Sequence, residues 1–147
     1  MREMTIGRLT DARNPGRIGR AMKRVSQRTV LVTLIRARAA IERPEHWCRG
    51  EFARTRSGAS VEPDSPGAYA LCALGALYKA TAEYPRAGAD IRAAARAVLA
   101  APLAPAPYAL SEFNDRSDHA GVLALYDAAI RRARRAVRRK QLRAARS

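Results

Sequence analysis

From Thr29 the chain reads TVLVTLIRARAAIER, with Val30, Leu34, Ala37 and Ile41 at i, i+4, i+7 and i+11. Arg36, Arg38 and Arg43 fall on the other side. The β-branched start also suits a strand, but the apolar period predicts a helix that ends before Pro44. Residues 44–65 carry no period and read as a long loop with Trp47 and Phe52 as apolar anchors. Asp64-Ser65-Pro66 has the form of a helix start, with Ser65 as N-cap and Pro66 in the first turn. GAYALCALGALYKA continues that helix to about Tyr84, where Pro85 breaks it. It is apolar nearly all round, which predicts a central position.

GADIRAAARAVLAA sets Ile91, Ala95, Val98 and Leu99 on one face, opposite Asp90, Arg92 and Arg96. Pro102, Pro105 and Pro107 predict a stiff, extended connector. SEFNDRSD reads as a polar turn, and a last helix starts near Ser117 with the stripe Val122, Tyr126, Ala129, Ile130, Ala133 and Val137. Beyond Val137 the stripe thins to Ala144 while cations continue, so that helix leaves the body as a charged extension. The expected fold is all-α: a small bundle of about four helices, a long loop after the first, and basic extensions at both ends. The expected organisation is a basic flexible arm at 1–28, a helical domain at 29–130 and an arginine-rich helical extension at 131–147.

Composition agrees with one domain: 147 residues, 48% hydrophobic, suffice for a real core and exclude a disordered chain. The net charge of +15 is segregated. Residues 1–28 sum to +6, residues 131–147 carry nine cations and no acid, and the span between is neutral. Arginine outnumbers lysine 25 to 3, a bias that a GC-rich genome produces by itself, so the segregation carries the argument. Two cysteines set no disulfide scaffold, and a cytoplasmic location is expected. The apolar run TVLVTLI after Met22 is short for an export signal, and Pro15 and Gly16 interrupt a transit-peptide helix. No run is long enough to span a bilayer, so no membrane is expected.

Candidate chemistry is sparse. Cys72 sits among apolar neighbours in mid-helix and reads as core, with no helix N-terminus to activate it. A nucleophile needs a base; His119 with Asn114 or Asp115 outlines a Cys-His-Asn arrangement, which makes an enzyme using Cys72 and His119 one alternative. His46, Cys48, Cys72 and His119 are four soft ligands, the number tetrahedral zinc takes, but no Cys-x-x-Cys is present. No catalytic residue, metal or cofactor is therefore expected. Glu112, Asn114, Asp115 and Asp118 read as turn and cap residues, with Ser117 as the cap of the last helix, and Trp47 reads as a lid over the core.

A leading helix is followed by Trp47, by Cys72-Ala73-Leu74-Gly75-Ala76-Leu77, and by Phe113-Asn114-Asp115 before a closing helix. This pattern resembles an uncharacterised family of small bacterial and phage proteins, a domain of unknown function. Phe113 stands where the pattern has Trp. The resemblance spans roughly residues 29–131 and implies a helical body with the cationic ends outside it; it implies no activity.

The tail RRARRAVRRKQLRAARS is where the chemistry points outward. Its like charges at i, i+4 (Arg131–Arg135, Arg134–Arg138, Arg135–Arg139, Arg139–Arg143) repel, so the free extension is expected to fray and a polyanion to order it. The expected function is a non-catalytic accessory that binds nucleic acid or a ribonucleoprotein without base specificity. Phosphate contacts are assigned to Arg131, Arg132, Arg134, Arg135, Arg138, Arg139, Lys140 and Arg143 of the tail and to Arg17, Arg20, Lys23 and Arg24 of the arm. The remaining alternative is a protein-interaction module of phage or mobile-element type that takes an acidic partner.

Overall fold

The computed structural model describes residues 25–147, so Arg17, Arg20, Lys23 and Arg24 lie outside the described residues. Helix α1 (Gln27–Ala40) opens two residues before the expected start, because the Ser26 hydroxyl accepts from the Thr29 amide at 3.0 Å. Its buried face is Val30, Thr33, Leu34 and Ala37. Thr33 is tolerated there because its hydroxyl returns to the Thr29 carbonyl at 2.8 Å. After a single 3-10 turn (Pro44–His46), strand β1 (Ala53–Arg54) pairs antiparallel with β2 (Ala70–Leu71), Ala53 opposite Leu71. Helices α2 (Ala73–Thr81), α3 (Gly88–Leu99), α4 (Ala109–Arg116) and α5 (His119–Arg146) follow.

Helix α1 packs on α2, α3 and α5, and α2 on α3 and α4. Leu34, Ile41, Leu77, Leu99, Leu110, Val122 and Tyr126 are fully buried between them. The many alanines at the contacts let the helices approach closely. The Tyr126 hydroxyl, buried in this core, donates to the Ala73 carbonyl at 2.6 Å. The molecule is thus a mostly helical bundle, with five α-helices among the described residues and one minimal two-stranded sheet. No helix among them is long and apolar enough to cross a membrane.

Five expectations are corrected. Ser65-Pro66 does not start a helix: Ser65 Oγ accepts from Gly67 N in a turn, and Tyr69 and Cys72 donate to the carbonyls of Arg54 and Phe52. Sheet pairing therefore outbids the local cap signal, and the helix begins at Ala73 and stops at Thr81, short of Tyr84. The supposed polar turn is helix α4, held by burying Leu110 and Asn114 four residues apart. The proline connector bends through turns, with Leu103 and Ala106 donating to Ala100 and Ala104, instead of running extended. Asp118, not Ser117, caps the last helix, its carboxylate accepting from Gly121 N at 2.7 Å. Phe52 is half exposed against Tyr78 and anchors nothing deep, whereas Trp47 packs on the core.

Candidate functional site

Two places concentrate polar chemistry: the meeting point of the loop after α1 with α2 and α4, and the free half of α5. At the first, Cys72 is not in mid-helix. It is the N-cap of α2, its Sγ accepting from Gly75 N at 3.2 Å. A helix N-terminus does favour a thiolate, but burial outweighs it and pushes the Cys72 thiol up. Burial likewise pushes Cys48 up to about 11. Both thiols are free and buried. A pocket of about 190 Å³ reaches Cys72 between Gly50, Phe52, Ser111 and Asp115.

His119 makes no hydrogen bond to Cys72. Its Nε2 lies 2.7 Å from the Ile41 carbonyl, and its ring stands beside Trp47. Asp115 is occupied too, accepting from Gly50 N at 2.9 Å and from the Asn114 amide at 3.2 Å. His46 Nδ1 is 2.7 Å from the Tyr69 carbonyl. Among the described residues no three His, Cys, Asp or Glu side chains gather as a metal site. Of the Cys-His-Asn residue types, then, Cys72 and Asn114 line one pocket, and His119 is not in its lining.

Asn114 explains the local pattern. Its side chain is fully buried, and its Oδ1 accepts from Trp47 Nε1 at 2.8 Å and from Ala73 N at 2.9 Å. Its Nδ2 donates to the Cys48 carbonyl at 3.1 Å and to Asp115. One amide thus ties the loop, the first turn of α2 and helix α4. Gly75 completes the joint: a Cβ there would sit on the Phe52 carbonyl, 2.9 Å from its carbon. Trp47, Cys72, Gly75 and Asn114 form a structural clasp, a role that sequence alone did not disclose for Asn114.

The second place is α5, whose buried residues run from Val122 to Ala133. Arg132 stands apart from the other nominated cations: half buried, it donates to the Val98 carbonyl in the last turn of α3, where a cation is favoured. That guanidinium is engaged in packing. Arg131, Arg134, Arg135, Arg138, Arg139, Lys140 and Arg143 are exposed, and none forms an ion pair with an acid among the described residues. The pairs that do form lie on the body, such as Arg38–Asp127 at 2.6 Å and Arg54–Glu51 at 2.9 Å. The extension is helical through Arg146. At about 100° per residue, Arg131, Arg134, Arg135, Arg138, Arg139, Arg143 and Arg146 share roughly half of its circumference.

A family model, that of a family of unknown function (DUF6197), matches residues 25–132, and the chain belongs to that family. The match ends beside Ala133, the last buried residue of α5, so the free cations from Arg134 onward lie outside it. No curated protein and no solved structure matches the chain.

Proposed function

We propose that this DUF6197 protein is a non-catalytic accessory that binds nucleic acid, free or within a ribonucleoprotein, through phosphate contacts of its cationic ends. One observation carries the reading: from Arg134 to Arg146, seven exposed cations stand on a helix that has left the core, with no acidic partner among the described residues. An unneutralised stripe of guanidinium groups attracts phosphate and bonds it bidentately. It also repels itself; each like-charged i, i+4 pair costs about 0.2–0.5 kcal/mol, which a polyanion along the stripe removes. Nothing in the tail selects bases, so the recognition is of backbone. Two free buried thiols suit a reducing compartment such as the cytoplasm.

The test is fluorescence anisotropy with a labelled oligonucleotide, comparing the full chain with one ending at Ala133. The shorter chain keeps the buried part of α5 and is expected to bind at least about tenfold more weakly. Equal binding by the two chains would remove the tail from the account.

A further inference from the structure

Helices α1 and α5 run antiparallel: His119 meets the Ile41 carbonyl at one end, and Arg38 pairs with Asp127 partway along. The first turn of α1 is thereby set against the free half of α5. Between them lies a cleft of about 340 Å³, lined by Ser26, Gln27, Arg28, Val137, Lys140, Gln141 and Ala144. Each wall supplies one exposed cation, Arg28 or Lys140, and one exposed primary amide, Gln27 or Gln141. Val137 and Ala144 add apolar surface on the α5 side. Neither Arg28 nor Lys140 pairs with an acid among the described residues. This face of α5 is distinct from the arc of arginines on its opposite side.

Resting on the function proposed above, we infer that this cleft is a binding site for one strand of single-stranded nucleic acid, gripped from both walls by Arg28 and Lys140. Four features argue for that occupant. Opposed cations complement a phosphodiester, which carries one charge per unit. The amides donate to phosphate or sugar oxygens without adding charge. The apolar surface of Val137 and Ala144 suits the sugar face. The volume of about 340 Å³ is on the scale of one nucleotide unit. No aromatic ring lines the cleft among the described residues, so bases are not stacked and the site stays indifferent to sequence, unlike the stacking platforms of many single-strand binders. The cleft also sets Arg28, the last cation of the basic first 28 residues, across from the arginine-rich tail.

The experiment is a double-mutant cycle on the full chain, with a short oligodeoxythymidylate as probe. Arg28→Ala and Lys140→Ala are exposed changes that leave the core intact. Each is expected to weaken binding about threefold to tenfold, and the pair to lose little more than the larger single loss, because a strand freed from one wall slips from the other. Arg28→Ala combined with Arg131→Ala is expected to multiply. Ala144→Ile, which narrows the cleft at constant charge, is expected to weaken the single strand about fivefold and leave a duplex of the same length unaffected. Independent, multiplying losses for Arg28 and Lys140 in a chain that still binds would overturn the cleft and spare the tail. A full chain that binds no oligonucleotide overturns the earlier reading and this one with it.

Discussion

Gly75 gives the sharpest test at the scale of single residues. In an exposed helix Gly→Ala stabilises by about 1 kcal/mol. Here the added methyl meets the Phe52 carbonyl, a backbone group that cannot rotate away. Gly75→Ala is expected to destabilise by about 3 kcal/mol in urea unfolding, and a stabilising result would contradict the clasp. Asn114→Leu strands the Trp47 indole, the Ala73 amide and the Cys48 carbonyl, and a loss of about 3 kcal/mol is expected by the same measurement. The thiols give a pH test. Cys48 titrates near 11 in the folded chain, against 9.0 for an unperturbed thiol. A raised acid contributes stability that is whole below pH 9 and lost as pH rises toward 11. Tyr126, raised by burial, acts in the same direction at higher pH. At pH 8 only about one Cys48 in a thousand is thiolate, so iodoacetamide is expected to label the native chain far more slowly than the unfolded one. Comparable rates would reopen cysteine chemistry.

Among the elements, α1, α3 and α5 were legible in sequence because their evidence is local: an apolar period and, for α1, a proline beyond the end. Strand β2 and the start of α2 were not. Their hydrogen bonds come from Phe52 and Arg54, well upstream, and nothing in GAYALC announces that pairing. Helix α4 was hidden because it buries one leucine and one asparagine, and that asparagine's partners are Trp47, Cys48 and Ala73. The nearby prolines and acids then mimic a turn. The extension of α5 was legible as a charged continuation of the last helix, yet the bond from Arg132 to the α3 terminus was not, since it joins residues 34 apart. Truncation separates the two halves of this helix. A chain ending at Val137 keeps every buried residue of α5 and is expected to unfold at an unchanged urea midpoint. A chain ending at Ile130 loses Ala133 and the Arg132 bond, and a cost of about 1–2 kcal/mol is expected.

Across the whole molecule, charge and architecture divide the same way. The neutral body carries the family match and the clasp, while the cations concentrate at the ends, and the antiparallel packing of α1 and α5 sets Arg28 beside the tail. The tail candidates for phosphate were visible as a charge run; Arg28 was not among the candidates, and its place across a cleft from Lys140 was not visible, because it depends on helix order in space. The measurement that bears most directly on phosphate binding is affinity for a single-stranded oligonucleotide across a salt series, for the full chain and for the chain ending at Ala133. With six tail cations engaged, log affinity is expected to fall against log salt with a slope about 4 units steeper in the full chain. A flat dependence, or parallel lines for the two chains, would contradict the account.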